Sequence, residues 1–218
     1  MTTTAFRIVA VSAGLSSPSS TRLLADRLAA AAREQLAAGT DRPVEVRVVE
    51  LRDLAVDIAN NLVTGFPPSA LREAIDAVTG ADGLIAVTPV FSASYSGLFK
   101  SFFDLVEKTA LTGKPVVIGA TGGSPRHSLV LEHAMRPLFA YLRTVTLPTS
   151  VYAASEDWGA AGDGYADGLP SRIRRAGGEL ASAVLGRTVS GATRDLGLDD
   201  GLDAIVPFEQ QLAALRPE

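Results

Sequence analysis

Phe6-Arg7-Ile8-Val9-Ala10-Val11-Ser12-Ala13-Gly14-Leu15-Ser16-Ser17-Pro18-Ser19-Ser20-Thr21 reads as a strand, a polar loop and the start of a helix. Phe6 to Ser12 is almost wholly apolar, the pattern of a strand buried on both faces, and such strands belong to parallel sheets covered by helices. Arg22 to Ala38 continues as a helix, with Leu24, Leu28, Ala32 and Leu36 on one stripe. The same alternation extends outward. Val44 to Leu51 predicts a half-buried, peripheral strand. Leu71, Ala74, Ile75 and Val78 mark a helix opened by Pro67-Pro68-Ser69. Gly83 to Thr88 and Pro115 to Ala120 are buried strands. Between them Tyr95 to Lys108 is a helix that turns Phe99, Phe102, Phe103 and Val106 to one face. Leu131, Met135, Leu138 and Leu142 mark the next helix. Val145 to Val151 is a strand that Pro148 assigns to the sheet edge, and Ile173, Gly177, Leu180 and Val184 mark a last helix. Five strand–helix units of crossover length predict an α/β fold: an open parallel sheet with helices on both faces.

The chain has 218 residues, a length for one domain. Hydrophobic residues make up 47% and charged ones 20%, which supplies a real core and too little charge for disorder. A net charge of −4 offers no general field for nucleic acid or anionic lipid. With no cysteine there is no disulfide, thiolate metal site or cysteine nucleophile, and His127 and His133 alone do not make a histidine-rich metal site. Met1 to Arg7 lacks the basic and apolar regions of a signal peptide. The longest uncharged stretch, Gly83 to Phe99, is broken by Pro89, so no membrane span is expected and the protein is read as cytoplasmic. Two segments fall outside the five units: Ala154 to Leu169, rich in glycine and holding Trp158, and Thr188 to Glu218, ending in an amphipathic stretch with Phe208, Leu212 and Leu215. The expected division is a domain over 1–187 and an extension over 188–218 that serves as an interface or lid.

Ligands of open α/β sheets bind where the strands end, so the loops there carry the functional reading. The first, Ser12 to Thr21, holds six hydroxyls and runs into a helix start, where free N–H groups suit a phosphate; an N-capped serine-rich turn has the same composition. Its one glycine, Gly14, excludes the G-x-G-x-x-G dinucleotide fingerprint, and no Gly-Lys-Ser/Thr occurs anywhere. The second loop is Thr88-Pro89-Val90-Phe91-Ser92-Ala93-Ser94-Tyr95-Ser96-Gly97, and the third is Ala120-Thr121-Gly122-Gly123-Ser124-Pro125-Arg126-His127. Paired glycines allow close approach to a flat ligand, and they also occur in ordinary strand-end turns. Pro137 lies inside the fourth helix and has no N–H for the His133 carbonyl, so a bend or a π-bulge is expected there.

Pro89 to Lys100, with its Ser96-Gly97-Leu98-Phe99-Lys100 ending, together with Ala120-Thr121-Gly122-Gly123-Ser124, resembles the NADPH-dependent FMN reductase family, over about Phe6 to Gly186. The resemblance implies a flavodoxin-like three-layer α/β/α sandwich with a five-stranded parallel sheet of order 2-1-3-4-5. It is closest to the reductases that feed luciferase-like monooxygenases in two-component systems. It implies FMN and NADPH or NADH as cofactors, FMNH₂ transfer to a flavin-dependent monooxygenase, and a homodimer or homotetramer. It assigns Ser12, Ser19, Ser20 and Thr21 to the FMN phosphate. Pro89, Val90, Phe91, Ser92, Ala93 and Ser94 go to the flavin, and Thr121, Gly122, Gly123 and Ser124 to its carbonyl edge. His133 occupies the position where such reductases carry an inserted residue in a π-bulge. Arg126 and His127 suit the flavin's N1–C2=O edge or the NADPH phosphate, and equally a solvated helix start. No catalytic acid or base is expected, because the cofactors carry the hydride chemistry. Relatives place an arginine inside the first loop; here the first basic residue is Arg22, already in the helix, which fits a reductase that releases its flavin. The alternatives are an FMN-retaining quinone, chromate or azo reductase and a flavodoxin-type electron carrier.

Overall fold

The computed structural model describes residues 4–158 and 168–190. By packing the chain divides into a unit over Met1–Gly186 and another over Arg187–Glu218. The predicted features at Gly159, Gly162, Gly164, Phe208, Leu212 and Leu215 lie outside the described residues.

The sheet is parallel and helices cover both faces. Strand β1 (Phe6–Ser12) pairs with β2 (Val44–Glu50) on one side and β3 (Gly83–Phe91) on the other, and β3 pairs with β5 (Pro115–Gly122). Alternate residues of these strands feed two cores. Val9, Val11, Leu84, Ala86, Val116 and Ile118 pack against α2 (Ala55–Thr64), α3 (Ser69–Thr79), α4 (Gly97–Phe103) and α5 (Arg136–Tyr141). Ile8, Ala10, Ile85, Val87 and Val117 pack against α1 (Ser20–Ala38) and α6 (Leu169–Ser190). The period-two alternation of a strand therefore builds both layers at once. Helices α1 and α6 approach closely at Gly177, where a Cβ would stand 2.8 Å from Ala31.

Three expectations are corrected. The sheet has seven strands rather than five, in the order β2-β1-β3-β5-β6, where β6 is Val145–Thr146, with β7 (Val151–Ala154) also on β5 and a two-residue β4 (Ser94–Tyr95) antiparallel to the end of β3. The predicted single strand Val145 to Val151 is two pieces, β6 (Val145–Thr146) and β7 (Val151–Ala154), each parallel to β5. Leu147 still donates its N–H to the Val116 carbonyl at 2.9 Å, and the ladder lapses at Pro148, which has no N–H to give. The predicted helix Tyr95 to Lys108 is only Gly97–Phe103, because Tyr95 belongs to β4 and the Ser96 hydroxyl caps the helix by accepting the Phe99 N–H at 3.2 Å. A 3₁₀ turn (Leu51–Leu54) and α2 were not anticipated. Only Ile58 and Asn61 of α2 are buried, and Val56, Leu62 and Val63 face outward, so no one-sided stripe marks it. No helix among the described residues is long and apolar enough to cross a membrane.

Candidate functional site

The carboxyl ends of β1, β3, β5 and β7 converge on a cleft of about 350 Å³. Leu15, Ser16, Ser19, Ser20 and Thr21 come from the first loop, Pro89, Val90 and Phe91 from the end of β3, Thr121, Gly122 and Gly123 from the end of β5, and Ser155 from the residue after β7. Its polar side consists of six hydroxyls, with no acidic or basic side chain; its apolar wall is Leu15 and Pro89–Phe91.

The hydroxyls differ in freedom. Ser19 is the N-cap of α1, its Oγ accepting the Arg22 N–H at 3.2 Å. Ser20 is exposed at the first helical position. Thr21 is buried and shares a hydrogen bond of 2.7 Å with Thr121, which ties the first loop to the third. Ser12 does not line the cleft; it is buried and its Oγ accepts the Gly14 N–H at 3.4 Å. Arg22 does not line the cleft either and is engaged by Asp26 at 2.8 Å and Glu50 at 2.5 Å. Arg52, from the 3₁₀ turn after β2, instead braces the loop by donating to the Ser16 carbonyl at 3.0 Å.

The second loop is a hairpin. Ser92 and Ala93 take φ of 48° and 65°, and two successive left-handed residues reverse the chain so that Phe91 pairs with Ser94. The third loop is held from below by Tyr152, whose hydroxyl donates to the Ser124 carbonyl at 2.7 Å. Burial, with the charge of Asp157 behind it, pushes this phenol above its ordinary range, so it stays a neutral donor. A Cβ on Gly122 would lie 2.1 Å from the Tyr152 hydroxyl, whereas one on Gly123 would meet only open space. Glycine at 122 is therefore required by close approach.

Ser92, Ala93, Ser94 and Ser124 do not line this cleft. Ala93 lines a second hollow, also about 350 Å³, with Arg126, His127, Leu129, Val130, His133 and Ala134. His133 lies in a π-helix (Leu131–Met135), in which Arg136 donates to the Leu131 carbonyl five residues back. A larger hollow, about 710 Å³, lies beyond it against Phe103, Pro137 and Tyr141; its Lys100 and Asp104 pair with each other at 2.5 Å. Ser155 and Tyr152 are not among the residues expected from the sequence, where the last strand ends at Val151. Carried on to Ala154, it places Ser155 at a carboxyl end, where such sites form.

The first cleft fits a ligand with an anionic tail and a flat apolar head. Clustered hydroxyls beside the start of α1, with no carboxylate in the walls, suit a phosphate. The Pro89–Phe91 edge and the open backbone at Gly123 suit a ring.

Comparison with known proteins points the same way. The family model described as NADPH-dependent FMN reductase matches residues 6–159. The chain is similar to an FMN reductase (NADPH) of Pseudomonas aeruginosa, 39% identical over 189 residues, covering 85% of this chain and 96% of that one. It is also similar to the NADH-dependent FMN reductase SfnF of Pseudomonas fluorescens, 39% identical over 180 residues and covering 83% and 92%. The crystal structure of an oxidoreductase from Corynebacterium diphtheriae superposes with a TM-score of 0.78 at 44% identity, over 84% of this chain and 98% of that one. A WrbA-like flavodoxin from Agrobacterium tumefaciens, at 16% identity and a TM-score of 0.57 over 84% and 99%, shares the fold alone.

Proposed function

The chain belongs to the NADPH-dependent FMN reductase family, and from that premise we propose that it oxidises NAD(P)H to reduce FMN in the three-loop cleft. The observation that carries this reading is the cleft itself, lined by six hydroxyls, by no charged side chain and by the Pro89–Phe91 edge. Bound there, FMN would supply the two-electron chemistry by accepting a hydride. Ser19, Ser20 and the neighbouring N–H groups of α1 hold its phosphate. Pro89, Val90 and Phe91 support the ring, and Thr121, Gly122 and Gly123 lie along its carbonyl edge. The Thr21–Thr121 bond fixes the distance between the phosphate end and the ring end, while Ser12 shapes the first loop from beneath.

We propose further that reduced flavin leaves, and that a flavin-dependent monooxygenase receives it. A phosphate site built from neutral donors alone, with Arg22 tied to Asp26 and Glu50, favours exchange over permanent retention. The reading includes a cytoplasmic homo-oligomer, which the exposed apolar residues of α2 support.

Ser20→Ala tests the phosphate assignment more cleanly than Ser19→Ala, which also removes a helix cap. A hydrogen bond to a charged group contributes about 1.5–3 kcal/mol, so FMN affinity measured by fluorescence quenching falls at least tenfold while riboflavin affinity holds. Equal losses for both flavins overturn the assignment. Steady-state NAD(P)H oxidation with FMN as acceptor tests the activity.

A further inference from the structure

The two loops that close the flavin cleft continue past it, and what they carry beyond is cationic. Phe91 and Gly123 line the cleft, whereas Ala93 and Arg126 line the second hollow. The left-handed pair Ser92–Ala93 forms the turn between the two on one side. On the other, a 3₁₀ turn (Pro125–His127) brings out Arg126 and His127. His133 joins them from the π-helix. The walls thus hold a guanidinium and two imidazoles and no carboxylate. Glu132, next in sequence to His133, is engaged by Arg136 and Ser150.

Among the described residues Arg126 has no carboxylate partner, a condition several exposed arginines share but which here falls in the wall of a hollow. Arg22, Arg52, Arg136 and Arg172 each pair with a carboxylate. Among the described residues no hydrogen bond or ion pair engages the Arg126 guanidinium or the His127 ring. A planar fork of donors without an acid matches a phosphate in bidentate geometry.

Resting on the reductase reading above, we propose that this hollow takes a phosphate of the reduced nicotinamide dinucleotide, with Arg126 as the main contact and His127 and His133 as further donors. The substrate makes two demands. Its nicotinamide must meet the flavin in the first cleft, and its anionic groups must be held elsewhere, because the first cleft offers no cation. The adjoining hollow is reached along the same two loops and supplies one. Two groups share the required chemistry: the pyrophosphate, present in both NADPH and NADH, and the 2′-phosphate, present in NADPH alone.

The test compares Arg126→Ala and Arg126→Lys with the unaltered protein at saturating FMN, using three hydride donors. These are NADPH, NADH and 1-benzyl-1,4-dihydronicotinamide, which has the ring and no phosphate. In Arg126→Ala the ratio of kcat/KM for NADPH to that for the benzyl compound falls at least tenfold, mainly through KM. Arg126→Lys recovers part of the loss. A parallel fall for NADH assigns the pyrophosphate, and a fall confined to NADPH assigns the 2′-phosphate. An unchanged ratio, or the same loss with all three donors, overturns the proposal. Failure of the unaltered protein to oxidise any of the three with FMN overturns the reductase reading, and this one with it.

Discussion

Thr21 and Thr121 stand a hundred positions apart in sequence and 2.7 Å apart at their hydroxyls, in a buried setting. Removing one of a buried pair leaves the other unsatisfied at about 1–3 kcal/mol, whereas removing both for groups of the same shape is nearly neutral. Thr21→Val and Thr121→Val should therefore each lower Tm and weaken FMN binding, and the double variant should recover much of both losses. Thermal melts and flavin titrations of the three variants check this; simple additivity counts against the coupling. Gly122 makes a second such case. Gly122→Ala places a methyl against the Tyr152 hydroxyl, which must swing away from the Ser124 carbonyl. FMN affinity should fall about tenfold or more, consistent with the loss of a fixed loop. Tyr152→Phe in that background should restore part of it, since the ring carbon remains tight at 3.2 Å. The Gly-Gly pair was legible in the sequence as a place where something approaches. That the approaching group is Tyr152, from a strand thirty residues on, was not, because strand register decides it: Ala120 stands opposite Tyr152.

At the scale of elements, the π-helix and the break in the edge strand are one construction. Pro137 cannot donate an N–H, and the wide turn just before it ends with Arg136 donating to Leu131. Arg136 also reaches the Leu147 carbonyl at 3.2 Å, and its partner Glu132 accepts from Ser150 at 2.9 Å, so the two residues pin the π-helix to the segment between β6 and β7. The proline's defect was legible because a missing N–H is a covalent property; the pinning depends on side chains from two elements and was not. The hydrogen bonds from Arg136, with that from Ser150 behind them, hold the Glu132 carboxyl below its ordinary range. A depressed carboxylate stabilises the fold above its unfolded pKa, and that contribution is lost as pH falls through the lowered folded value. Glu132→Gln should thus cost stability at pH 7, by no more than about 1 kcal/mol because both side chains are partly exposed. The gap to the unaltered protein should narrow as pH falls below the ordinary carboxylate range. Melting curves from pH 7 downward check it; a gap that does not narrow with falling pH assigns the loss to packing instead.

For the whole molecule, the alternation of buried strands with one-sided helices makes the parallel sheet and its helices on both faces legible in the sequence. What escaped was the surface. Trp158, placed by sequence outside the five strand–helix units, is partly buried under Arg27, 5.1 Å over its ring, and packs against the core beneath α1. The apolar surplus that does appear lies on and just after α2, where Val56, Leu62, Val63 and Phe66 are 72%, 50%, 87% and 80% exposed. Exposed apolar side chains gathered on one short segment are what a closed twofold contact covers, and we propose a second copy of the chain as their cover. Light scattering should then give a multiple of 22.7 kDa. Val63→Glu with Phe66→Ser should shift the mass toward a single chain without disturbing the core, since neither side chain enters it. A mass of one chain across a wide concentration range excludes the oligomer, and an unaltered assembly in the double variant excludes this face as its seat.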